Sequence, residues 1–404
     1  MTTLTGPPKA SFRLSMLLSD TRYRSYTFQF IALMLLIAAI AFLGSNLMRN
    51  LAAAGLNISY QFLGSPAGYD INQTLVEYTS QSTNAKAALV GILNTLLVAF
   101  LACVTATVLG VIAGVLRLSN NWLVSKLMSF YVEIFRNIPV LIWIIIIFTI
   151  MIAVLPGPRA FRGDEPSASM VFDAIAFTNR GVYIPAPVWG PGSIVVVITF
   201  LLSVVGVFAY RRYATKLLYD TGRLLPMGWP SLAIFFVPAL LAYLVMGMPI
   251  GLEYPELKGF NFSGGIKVGG PLIALWFALS IYTGAFIAEN VRAGIQAISK
   301  GQSEAAGALG LRQGRIRNLV VLPQALRVII PPLISQYLNI TKNSSLAIAV
   351  GYADITATLG GITLNQTGRA IECVLLLMLF YLTISLSISA VMNVYNNSVK
   401  LKER

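Results

Sequence analysis

Residues Glu304 to Pro323 read EAAGALGLRQGRIRNLVVLP, and the interpretation of the whole chain turns on them. Long apolar segments precede this stretch and two more follow it. The stretch itself is polar, basic and too short of consecutive apolar residues to cross a bilayer. It carries its own helix signals. Ser303 is placed to cap a helix whose first turn holds Glu304, where the macrodipole favours a carboxylate. Ala305, Ala306 and Ala308 are strong helix formers, and Gly310 is placed to end that helix in a left-handed conformation. A second short turn over 313–319 carries Arg315 and Arg317, and Pro323 opens the next apolar segment. Two short helices joined at a glycine bend predict a rigid knob on the membrane surface, shaped to dock into a groove on a soluble partner.

Around this knob the composition predicts an all-α polytopic membrane protein. The chain is 56% hydrophobic and 11% charged, whereas soluble domains carry about 25% charged residues. Several apolar runs reach the roughly 20 residues that a bilayer core demands. Eight spans are predicted, at about 26–48, 88–116, 128–154, 193–210, 230–249, 271–291, 328–350 and 372–394. The N-terminal residues are polar and basic up to Tyr26, so no cleavable signal is expected. The chain has no histidine, which removes imidazole as a base, metal ligand or pH switch. Cys103 and Cys373, the only cysteines, both fall in apolar runs, so neither a disulfide framework nor a metal site is expected.

The 29 lysines and arginines set the orientation. Most fall on one side: Lys9, Arg13, Arg22 and Arg24 before the first span, Arg117 and Lys126 between the second and third, Arg211, Arg212, Lys216 and Arg223 between the fourth and fifth, Arg292, Lys300, Arg312, Arg315, Arg317 and Arg327 in and around the knob, and Lys400, Lys402 and Arg404 at the end. That bias puts both termini and the knob in the cytoplasm. It also explains the net charge of +14 without nucleic acid. On the opposite side, 155–192 is rich in Pro and Gly and locally acidic through Asp164, Glu165 and Asp173, which predicts an ordered loop or short helix.

Glu304, Ala305, Ala306, Gly310, Val320, Leu322 and Pro323 together resemble the EAA signature of ATP-binding-cassette importer permeases, with valine where isoleucine is usual. Residues 91–117 and 131–141 (YVEIFRNIPVL), with 282–304 and 342–346 (KNSSL), look like permeases for polar amino acids. The chain most resembles the long permease subunits of general L-amino-acid importers and their acidic-amino-acid relatives. This resemblance implies a type I importer permease fold with a five-helix core. The implied divisions are 1–87, an N-terminal segment with the first span and an external loop; 88–154, the first part of the core; 155–270, an insertion with two extra spans; and 271–404, the second part of the core with the coupling helices. In this reading Glu304, Ala305, Ala306, Gly310, Arg315 and Pro323 couple the chain to an ATPase.

Charged and amide side chains inside the spans mark cavities, partners or helix contacts. Glu133 and Arg136, three residues apart, are expected to pair as a structural or gating element, with Pro139 bending the helix after them. Glu289, beside Arg292, is read as a lateral contact or gate support, and Lys342 falls within the seventh span. Pro331 and Pro332 are expected to loosen the start of that span, and Gln336, Asn339 and Asn343 recur at helical spacing. They either line a cavity or hold helices together. Asn94, Thr95 and Ser344 join them as candidate cavity residues. Among the resembled permeases, the place of Gln336 is acidic in some that carry cationic amino acids. Glutamine there points to neutral, acidic or broad substrates.

No G-x-x-x-x-G-K-[ST] phosphate loop occurs in the sequence, so ATP and magnesium are not expected on this chain and no enzymatic site stands out. The resemblance implies that they bind two separate ATPase subunits. It also implies a homologous second permease and a periplasmic amino-acid-binding protein, assembled in a bacterial inner membrane. Two alternatives are an ion-coupled secondary transporter, which would favour inverted repeats and midplane carboxylates, and a membrane scaffold without transport.

Overall fold

The computed structural model describes residues 18, 20–55, 57–163 and 166–399. Lys9, Arg13, Asp164, Glu165, Lys400, Lys402, Arg404 and the side chain of Arg22 lie outside them. Two compact units divide at Gln61. The first contains one long helix, α1 (Thr21–Ala53), with apolar side chains exposed all round, as a lipid-facing span requires.

The second unit starts from two helices, α2 (Asn84–Leu116) and α7 (Gly270–Gln296), that run parallel and in close contact. Small residues permit this approach. A Cβ at Gly110 would lie 2.6 Å from the Cβ of Ile287, and one at Gly114 would lie 2.6 Å from the carbonyl oxygen of Ala288. In a bilayer, where lipid is as apolar as leucine, such backbone proximity is the main source of helix–helix attraction. Further along, the Thr105 and Ser280 hydroxyls meet at 2.5 Å and the Trp276 indole N–H donates to Thr105 at 3.0 Å.

Between these helices lie α3 (Trp122–Asn137) and α4 (Val140–Val154). They meet at 106° rather than forming the single bent span expected over 128–154. Pro139 excludes its predecessor from helical backbone, and Ile138 is accordingly extended at φ −108°, ψ 132°.

Residues 155–270 contain strands, which the all-α expectation omitted. They are β1 (Ala176–Thr178), β2 (Gly181–Ile184), β3 (Ala186–Trp189), β4 (Ile250–Glu253), β5 (Glu256–Lys258), β6 (Asn261–Ser263) and β7 (Ile266–Gly269). Each is only three or four residues long, too short for period-two alternation to register in a sequence rich in Pro and Gly. β2 pairs with β7 and β3 with β4, so the strands fasten together the two ends of the segment that holds α5 (Ser193–Thr221) and α6 (Gly228–Val245). Those helices pack along each other, and neither packs extensively on another helix.

After α7 come α8 (Lys300–Ala308), α9 (Gln313–Ile316), a π-helical turn (Arg317–Val321) and α10 (Leu322–Asn343). A 3₁₀ turn (Ser344–Val350), a second π-helical turn (Thr356–Thr363) and α11 (Leu364–Thr367) lead to α12 (Ala370–Val399). Pro331 and Pro332 lie inside α10 rather than near its start, since the helix begins at Leu322, nine residues before Pro331. Among the described residues seven helices are long and apolar enough to cross a membrane, or eight if α3 and α4 form one broken span.

Candidate functional site

The polar elbow after α7 is built from its caps. Ser299, in extended backbone, occupies the cap position of α8, so Ser303 lies within the helix and Glu304 in its second turn. The expected cap at Ser303 is thus displaced by one helical turn, and the Ser299 side chain itself makes no capping hydrogen bond. The other end closes as expected. Gly310 has φ +77°, the Leu311 N–H donates to Ala306 O at 3.3 Å, and the Gly310 N–H donates to Gly307 O at 2.9 Å. This is a Schellman closure, which needs a residue that tolerates the left-handed region.

Ala306 and Ile316 are 6% and 1% exposed, and a Cβ at Gly307 would lie 3.9 Å from Ile316 Cδ1, so α8 and α9 pack closely. Glu304, Ala305 and Arg315 point outward. So do Leu309 and Leu319, 82% and 66% exposed, two large apolar side chains on a polar surface. Pro323 is the second residue of α10, directly after the π turn. The elbow does not end there. Ile316, Arg317, Val321 and Leu322 all keep right-handed helical backbone, so α9 passes through the π turn into α10 without a break.

α10 carries the amide stripe. Gln336 and Asn343 are half-buried and Asn339 exposed. Among the described residues none of the three side chains bonds within this chain. An amide left unpaired in hydrocarbon costs several kcal/mol by order of magnitude, so the stripe fits a surface that meets water, ligand or another subunit. Lys342 is exposed beside it.

Asn94, Thr95 and Ser344 do not belong to that stripe. Asn94 is fully buried and donates to the carbonyls of Gln73 and Ala353 at 2.8 and 2.9 Å. Thr95, also buried, donates to Gly91 O at 2.9 Å and accepts the Ile355 N–H at 3.1 Å. Both pin the segment after the 3₁₀ turn to α2. The Ser344 hydroxyl turns back to Thr341 O at 2.7 Å.

Glu289 on α7 is the centre of a charge cluster. It accepts from Arg292 on its own helix and from Arg117 at the end of α2, and Arg136 of α3 lies 3.8 Å away. The expected Glu133–Arg136 pair is therefore replaced. Glu133 is exposed, while α3 leans on α7 and directs Arg136 to Glu289 and over the Phe286 ring at 5.1 Å. One carboxylate thus joins three helices just before the elbow.

Sequence reasoning passed over Asp354. It is fully buried, and its Oδ1 accepts the Ala357 N–H at 2.8 Å, capping the second π-helical turn. Its signal was available: Asp354 is the sole charged residue between Lys342 and Arg369.

Comparison with known proteins agrees with this geometry. Residues 203–401 match the family described as binding-protein-dependent transport system inner membrane component, a span that takes in α6, α7, the elbow and α10. The glutamate/glutamine/aspartate/asparagine transport system permease protein BztB of Rhodobacter capsulatus is 51% identical over the full length of both chains. The general L-amino acid transport system permease protein AapQ of Rhizobium johnstonii is 44% identical over 98% of this chain and 96% of its own. The putative amino-acid ABC transporter permease protein YhdX of Escherichia coli is 42% identical over 98% of this chain and 99% of its own. With a helical membrane fold, a glycine-closed elbow and relatives matched from end to end, this chain belongs to the permeases of amino-acid ATP-binding-cassette transport systems.

Proposed function

We propose that this chain is the membrane-crossing subunit of an ATP-driven importer for polar L-amino acids, neutral and acidic, in the bacterial inner membrane. A second, homologous permease faces it, two ATPase subunits hold ATP and magnesium on the cytoplasmic side, and a periplasmic binding protein delivers the amino acid. Both termini lie in the cytoplasm. Residues 155–270 are an insertion into a core formed by 88–154 and 271–404. The names of BztB and AapQ support the substrate range, and Gln336 supports it from within the chain.

The observation that carries the reading is the continuity of elbow and stripe. Helix runs from α9 through the π turn into α10, with Pro331 and Pro332 inside it, so displacement of the elbow by an ATPase is passed along one helix to Gln336, Asn339 and Asn343. Alternating access follows if those amides line the path between the two permeases. The polar groups then exchange water for the substrate's ammonium and carboxylate.

The test is the energy source. In proteoliposomes carrying the complete assembly, uptake of labelled amino acid is expected to require enclosed hydrolysable ATP and to persist when ionophores dissipate ion gradients. Uptake that survives ATP depletion but collapses with the gradients would overturn this reading in favour of a secondary transporter.

A further inference from the structure

The end of the second unit opposite the elbow contains a cavity of about 710 Å³, within the roughly 300–1,000 Å³ usual for small-ligand sites. Its floor is apolar, formed by Phe148, Leu272 and Ile348. Ile348 belongs to the 3₁₀ turn that directly follows Asn343, so the cavity lies beyond the end of the amide stripe. Its walls carry three charged groups, Arg180, Lys267 and Asp70, and are net cationic.

Backbone structure fixes the positions from which both exposed cations extend. Arg180 occupies the tight turn between β1 and β2, where its N–H donates to the Thr178 hydroxyl at 3.2 Å and that hydroxyl donates to Gly181 O at 2.8 Å. Gly181 follows with φ +134°, and a Cβ there would lie 2.3 Å from Val268 O, so only glycine lets β2 approach β7 this closely. Lys267 stands on β7 opposite Tyr183. Gln73 ties the adjoining loop to the same strand by accepting the Gly269 N–H at 3.1 Å. Among the described residues neither cation forms an ion pair. Arg180 spends one long bond, 3.5 Å, on the Phe260 carbonyl.

We propose that this cavity binds a dicarboxylic amino acid. Arg180 and Lys267 hold its side-chain carboxylate through charge-assisted hydrogen bonds, and its methylenes rest on the apolar floor. The 155–270 segment would then supply acidic-substrate selectivity at the external mouth of the path. The inference rests on the importer reading, and it deepens that reading by assigning a site to one class of substrate. A concave, apolar-floored site favours a small ligand over docking of the binding protein.

The experiment uses the complete importer in proteoliposomes at saturating binding protein, with labelled glutamate and its neutral isostere glutamine. The variant is R180Q/K267Q, and Lys258→Gln, on the same segment but away from the cavity, is the control. The double variant is expected to lose about tenfold in glutamate uptake, the effect of one lost charge-assisted bond, with glutamine uptake and the control nearly unchanged. An equal fall for both substrates would assign the two cations to binding-protein docking and overturn the proposal. Unchanged glutamate uptake, or a wild type that carries glutamine but no glutamate, would overturn it as well. Should the wild type transport neither with ATP, the importer reading fails instead. Binding of labelled glutamate to the purified complex, present in wild type and lost in R180Q/K267Q, then decides the cavity separately.

Discussion

At the scale of single residues, two polar side chains in α7 and α10 play opposite parts. Glu289 is fully engaged, with Arg117, Arg136 and Arg292 around it. Replacing it by Gln leaves three cations clustered around a neutral amide. Glu289→Gln is therefore expected to lower stability by about 1.5–3 kcal/mol, the range for losing a hydrogen bond to a charged group. A reduced melting temperature of the detergent-purified complex would report it. Gln336 is half-buried and has no side-chain partner among the described residues. Gln336→Leu is accordingly expected to leave assembly intact while lowering amino-acid uptake or changing the preferred substrate. Unchanged uptake kinetics across the tested amino acids would remove Gln336 from the path.

At the scale of elements, the elbow depends on one dihedral angle. Gly310 has φ +77°, yet a Cβ there would meet nothing within 4 Å. The position rejects side chains through backbone strain, roughly 1–2 kcal/mol for an L-residue, rather than through lack of room. Gly310→Asp adds that strain and a carboxylate on the exposed face. ATP-driven uptake is expected to fall sharply while the subunits still co-purify, with Gly310→Ala intermediate. Normal uptake by Gly310→Asp would show that the bend does not transmit force. A bend between α3 and α4 was likewise legible at Pro139, but not its severity. The 106° angle is set by what the two helices pack against.

At the scale of the whole molecule, apolar runs of span length and the asymmetry of Lys and Arg made the helical membrane class readable. The EAA spacing made the elbow readable. Three features were not. The short strands of 176–269 are three or four residues each, and two of their four pairings join residues far apart in sequence, such as Tyr183 with Lys267. The Glu289 cluster gathers Arg117 and Arg136 from two other helices, where local spacing suggested Glu133 as the partner. Asn94 and Thr95 read as ligand-binding amide and hydroxyl groups, but burial commits them to backbone partners near Ala353 and Ile355. Periodicity shows which residues share a helix face; it does not show which neighbour that face meets.

The central claim, that a separate ATPase moves this chain through the elbow, is tested most directly at Leu309, 82% exposed beside the bend. With Cys103 and Cys373 replaced by Ala, Leu309→Cys is expected to cross-link to a cysteine in the ATPase subunit, with a yield that changes when ATP is added. No cross-link at Leu309, together with efficient cross-linking of the ATPase to a cysteine introduced at Asn72 near the opposite end, would contradict it.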